Sequence, residues 1–134
     1  MDHHVALRAF NDHFDEFVQD ILRVFPNDRE CKTASVALRA LRKANPRLIL
    51  TVFGESVCVP YKNEIIAGDI SFFVNKDYRD DMKFKGDVNT AVLDKIDKIR
   101  RPISQMSEED KQSVIKYLQN LQQLVFLYQG IKTG

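Results

Sequence analysis

The chain has 134 residues, of which 44% are apolar and 29% charged, and a net charge of +1. That length suits one domain able to bury roughly two thirds of the surface of its unfolded form, and the composition is too apolar for a disordered segment. No apolar run approaches the ~20 residues a membrane-spanning helix needs, and the near-neutral charge removes the simplest argument for a nucleic-acid protein.

The opening "MDHHVALRAF" has no basic stretch ahead of an apolar one, so no cleaved signal peptide is expected, and a setting inside a cell or a viral particle follows. Leu7, Phe10, Phe14, Phe17, Ile21 and Val24 then recur at steps of three and four, which lines them on one face of a helix from about His4 to Phe25. Pro26 ends it. Asn27 with Glu30 three residues later has the form of an N-cap and its reciprocal partner for a second helix. There Cys31, Ala34, Leu38 and Leu41 share one face, while Arg29, Lys32, Arg39 and Lys43 gather opposite, with Arg42 at the border. Asn45 and Pro46 repeat the cap-then-proline signal before a third helix, "RLILTVFGESV", apolar around much of its circumference. Its β-branched content leaves a strand over 47–58 as the alternative.

"VPYKNEIIAGD" starts with another proline and supplies Gly68 as a helix C-cap. Residues 69–75 are too short for periodicity to choose between helix and strand. After a polar stretch, Val92, Ile96 and Ile99 share a face in a segment that stops at Pro102. Finally Ser107 caps a helix whose first turn, Glu108, Glu109 and Asp110, suits the positive end of the macrodipole. Val114, Leu118, Leu121, Val125 and Tyr128 form its stripe, and Gly130 releases it. The expected architecture is an all-α, single-domain bundle of five to six helices over residues 1–134, with a polar loop near 75–88 and a short flexible tail from 130.

The phrases "FNDHFDEFVQDILRVFPND", "LRKANPR", "GDISFFVNKDYRDD" and "KIRRPISQMSEEDKQSVIKYLQNLQQL" together resemble a family of short, uncharacterised proteins of large nucleocytoplasmic DNA viruses that infect algae and amoebae. The resemblance covers most of the chain in the same order and carries no catalytic motif. It implies a virus-encoded protein of the host cytoplasm or the virion.

Chemistry-bearing clusters are few. His3, His4 and His13, with Asp12 and Glu16, have the residue types of a metal site, but adjacent histidines near a terminus close a coordination sphere poorly, and His13 with Glu16 is an ordinary surface pair. Asp77, Asp80 and Asp81 lack the alternating ligands, central glycine and final glutamate of a calcium loop, so they are expected to solvate a loop, with Phe72 and Phe73 before them anchoring in the core. Cys31 and Cys58 fit no metal or redox spacing and are expected to be reduced packing thiols. Ser56 and Cys58 have no nucleophile elbow around them, and no phosphate-binding glycine loop occurs. A non-enzyme without cofactors is expected.

Two binding candidates remain. Residues 1–28 carry six acids and 29–47 carry six bases, so Lys32, Arg39, Arg42, Lys43 and Arg47, with Lys98, Arg100 and Arg101 further on, either meet phosphate backbones or pair with Asp12, Asp15, Glu16 and Asp20 of the first helix. The pairing alternative is the favoured one. The second candidate is Leu124, Val125, Phe126, Leu127 and Tyr128, consecutive apolar positions that sweep around a helical turn and would leave one side for a protein partner or a second copy of the chain. A protein–protein interaction or minor virion protein is the leading expectation, a nucleic-acid-binding accessory factor the alternative, and an enzyme without a recognisable motif a distant third.

Overall fold

Between Leu48 and Cys58 nearly every residue is apolar or small, and the rest of the chain is arranged to cover that segment. The computed structural model describes residues 2–75 and 87–130, and every element among them is helical. These elements are α1 (His3–Val24), α2 (Arg29–Ala44), α3 (Leu48–Phe53) running on into a π turn (Gly54–Cys58), α4 (Lys62–Ala67), α5 (Ser71–Asn75), α6 (Asp87–Arg100) followed by a 3₁₀ turn (Arg101–Gln105), and α7 (Glu108–Gln129). The all-α expectation holds. The described residues contain seven α-helical segments rather than five or six, because residues 69–75 supply a helix of their own. Most of the expected polar loop, 76–86, and the tail, 131–134, lie outside the described residues.

Leu7, Phe10, Phe14, Phe17 and Ile21 of α1 are all buried, and only the last member of that stripe, Val24, is exposed. Val114, Leu118, Leu121 and Val125 bury the matching stripe of α7. The two long helices run antiparallel. The ring of His3 meets that of Tyr128 at 5.3 Å, and the rings of His13 and Phe17 meet that of Tyr117 at 4.8 and 5.3 Å. On the other side α2 packs against α6, whose Val92, Ile96 and Ile99 are buried as their spacing predicts.

Between these pairs lies α3, with Leu48, Ile49, Leu50, Val52 and Phe53 buried, which settles helix over strand for this segment. The π turn continues the burial through Gly54, Ser56, Val57 and Cys58, with the Val59 N–H donating to the Gly54 carbonyl. Glycine is needed at 54 because a Cβ there would stand 2.9 Å from Cγ1 of Val125 on α7. Gly68, at φ 78°, stops α4 in the left-handed region open to glycine. Asp69 then accepts hydrogen bonds from the Ser71 N–H and hydroxyl as α5 begins.

Local caps were partly legible. Ser107 accepts from the Asp110 N–H as expected, and Gly130, at φ 73°, closes α7. The N-cap of α2 is Asp28, not Asn27: its carboxylate accepts from the Cys31 N–H at 3.0 Å, while Pro26 and Asn27 form the preceding turn. A carboxylate also suits the positive helix end. Asn45 closes α2 and accepts from the Arg47 N–H, so it serves the turn into α3.

A buried arginine, paired within its own helix, ties α6 to α5. Arg100 is 2.5 Å from Asp97 on the same helix and donates to the carbonyls of Val74 (2.7 Å) and Phe73 (3.4 Å), so α6 holds the end of α5. Arg101 adds a second contact to Asp97 at 2.6 Å.

Phe14 and Phe17 stand in one aromatic cluster with Phe10 and Phe53. Phe14→Ala and Phe17→Ala are each expected to cost about 3–5 kcal/mol in denaturant unfolding, with the helical far-UV signal of the folded state retained. A loss under about 1 kcal/mol at both, far below that range for a buried aromatic, would contradict their place in the core.

Candidate functional site

The acidic flank of α1 faces the basic flank of α2. Arg39 donates from Nε and Nη2 to the two oxygens of Asp15, at 2.9 and 3.1 Å, and Arg42 donates from Nη2 to Asp12 at 2.6 Å. The hydrogen bond to Asp15, and then its charge, hold the Arg39 guanidinium above its ordinary pKa. Two of the five expected phosphate-binding residues are therefore engaged within the fold. Lys32, Lys43 and Arg47 have no ion pair among the described residues. Lys98 and Arg101 approach Glu30 at 3.8 and 3.7 Å, and Arg100 points inward to Asp97.

Where these helices meet the Pro46 turn, a cleft of about 560 Å³ opens between them. Arg8 lines it from α1 and Lys43 from α2, both exposed and without an ion-pair partner among the described residues, while Arg39, Asp15 and Arg42 form part of the wall. Leu7 and Pro46 contribute apolar surface. Asn11 also lines the cleft, although only 4% of it is exposed. Its Nδ2 donates to the Pro46 carbonyl at 2.9 Å, and its Oδ1 is buried without a hydrogen-bond partner. Such an orphaned acceptor costs about 1–3 kcal/mol.

His4, Leu7, Arg8 and Asn11 were not joined as a site in the sequence, although a signal exists. Residues 4, 8, 11 and 15 step by four, three and four alongside the apolar stripe, giving α1 a polar stripe beside its core face.

The other candidates fall apart as sites. His13 is 3.6 Å from Glu16 and its ring lies on Tyr117, whereas His3 packs on Tyr128. Among the described residues no three His, Cys, Asp or Glu side chains are placed to hold a metal ion. Asp77, Asp80 and Asp81 lie outside the described residues. Phe73 is fully buried and Phe72 is partly buried, stacked on Tyr61 at 4.4 Å, as core anchors should be. Burial, helped by the Asp28 charge, pushes the Cys31 thiol up to about 11, and burial alone pushes Cys58 higher. Neither is a nucleophile at neutral pH. The Ser56 hydroxyl is buried without a partner.

The 124–128 ring is mostly covered. Val125 and Phe126 are core residues, Leu124 and Tyr128 are half-buried, and Leu127 alone of the five is exposed. Covering comes from distant parts of the chain: Gly54 packs against Val125, Lys62 Nζ sits 5.8 Å from the Phe126 ring centre, and His3 lies on Tyr128. The expected contact of Phe126 with another chain is thereby corrected. No known protein family, curated protein or solved structure matches this chain.

Phe126→Glu is expected to unfold the domain, because it would bury an unpaired carboxylate, whereas Leu127→Glu should leave the thermal transition in place. A folded Phe126→Glu protein would contradict the core assignment. A pH effect follows from Tyr117, whose phenol donates to Asp20 and is pushed up to about 12, chiefly by burial and then by that hydrogen bond. With the folded value above the unfolded one, the contribution of Tyr117 is present below about pH 10 and is lost as pH rises toward 12. Ultraviolet titration of the phenols should show a component near 12 that Tyr117→Phe removes. Its persistence in that variant would assign it elsewhere.

Proposed function

We propose that the chain is a non-enzymatic protein-interaction module that engages its partner at the cleft between α1 and α2. The observation that carries this reading is the pairing within that cleft: Asp12 and Asp15 fix two arginines in its wall, while Arg8 and Lys43 remain unpaired among the described residues. Buried thiols and the buried Ser56 hydroxyl support the non-enzymatic part. The resemblance to proteins of large DNA viruses supports a setting in the host cytoplasm or the virion, where a small helical adaptor or minor structural component would act. Use of the same helix to bind nucleic acid is the weaker reading, because Asp12 and Asp15 stand among the cations and repel a polyanion.

A photo-crosslinking residue placed at Lys43, compared with the same residue at Lys116, tests the reading in cells that express the protein. Lys116 is exposed on α7 and does not line the cleft. Discrete protein adducts from position 43 and none from 116 are expected. Equal patterns from both positions, or none from 43, would remove the cleft as the interacting face.

A further inference from the structure

We infer that the α1–α2 cleft binds an acidic peptide segment, with ligand carboxylates meeting Arg8 and Lys43 and an apolar side chain covering Leu7 and Pro46. The inference rests on the protein-interaction reading above and adds the chemistry of the occupant.

Charge selects the occupant first. Within the cleft the α1 acid Asp15 is neutralised by Arg39, and Asp12 beside it by Arg42, so the excess charge comes from Arg8 and Lys43, supplied from opposite helices. Cations on two walls suit a ligand with separated carboxylates, since each can be met without crowding the other. A continuous phosphate backbone would meet the carboxylate of Asp15 in the cleft wall, 32% exposed, and that of Asp12 on Arg42 beside it. Peptide carboxylates can be spaced to avoid them.

The polar floor selects a peptide over a bare anion. Asn11 Oδ1 is an acceptor without a partner, and a phosphodiester or an isolated carboxylate offers it only further acceptors. A peptide backbone offers N–H donors beside its acidic side chains. Oδ1 is covered in the free protein, so a ligand donor meets it, and removes the cost of the orphaned acceptor, only where that cover shifts on binding. The volume, about 560 Å³, holds a few side chains and lies within the range of ligand sites. Arg39 and Arg42, already fixed by their carboxylates, lose little further freedom on contact.

The probe is a short fluorescein-labelled peptide of glutamates flanking one leucine, beside its glutamine analogue and a labelled DNA duplex. Saturable binding of the glutamate peptide, weakened by salt and about tenfold or more by Arg8→Glu or Lys43→Glu but not by Lys116→Glu, is the expected result. Arg8→Gln and Lys43→Gln serve where a reversed charge perturbs folding, and a smaller loss in the same direction is expected of them. Equal binding of the glutamine analogue would overturn the inference, as would equal weakening by Lys116→Glu, or displacement of the peptide by DNA with the same dependence on Arg8 and Lys43. Cross-links from position 43 without binding of the glutamate peptide would sink the acidic occupant and leave the interaction reading standing; absence of both would remove the two together.

Discussion

The burial of α3 and its π turn is the constraint on which the other elements depend. In residues 48–58 only Thr51 and Glu55 are exposed, so the segment has no wide polar face to turn toward water. Helical hydrogen bonds satisfy its backbone internally, which a lone buried strand could not do. Covering it needs apolar surface from several directions. α1, α2 and α6 touch α3, and α4 and α7 touch the turn. The last carbonyl of the π turn, that of Cys58, and three carbonyls of α4 take donors from α7. Gln122 donates to the Cys58 and Lys62 carbonyls at 3.3 and 3.4 Å, and Gln119 to those of Ile65 and Ile66 at 3.1 and 3.4 Å. Thus α7 covers the central segment with its apolar stripe and meets the carbonyl at its end through Gln122, while Gln119 ties α4 to the same helix. Gly54 permits the close approach that both require.

What was legible in the sequence follows from where the governing interactions lie. The stripes of α1, α6 and α7 appear as steps of three and four because a helix facing one neighbour must be apolar at that spacing. Ser107, Gly68 and Gly130 act on backbone groups within a few residues, and their roles were readable for the same reason. At α2 the local signals compete. Asn27 and Asp28 can each accept a helix N–H, and the choice falls to Asp28 once the Pro26 turn has fixed the entry of the chain. Residues 124–128 fail for a different reason. A run of apolar residues tells that a helix is surrounded but not by what, and here Gly54, Lys62 and His3 do the surrounding. The Tyr117–Asp20 hydrogen bond likewise joins residues that no local pattern associates.

The cleft was half legible. The cations of α2 and the acids of α1 stood out as opposed segments, and the favoured pairing describes Arg39 with Asp15 and Arg42 with Asp12. The depression itself needs the crossing of α1 and α2 and the Pro46 turn, and Asn11 joins it only through its bond to the Pro46 carbonyl. Those are tertiary facts, so Arg8, two turns into α1, had no reason to be associated with Lys43.

Those pairs do more for the shape of the surface than for the stability of the fold. Arg39 is 56% exposed and Asp12 equally so, and ion pairs of this kind contribute about 0.2–1 kcal/mol and weaken with salt. The core around α3 holds the helices together without them. Their effect is to fix flexible arms. A guanidinium carries more N–H donors than these contacts use: Arg39 spends two and Arg42 one on their carboxylates. Each arginine is therefore electrically balanced yet still able to donate, which makes the cleft wall polar without making it strongly attractive to every anion. Arg8 and Lys43, from opposite helices, are the cations lining the cleft that have no carboxylate partner among the described residues. On the proposed reading, discrimination would depend on the spacing of a ligand's charges rather than on their number, because a dense polyanion would meet Asp15 in the wall and Asp12 beside it.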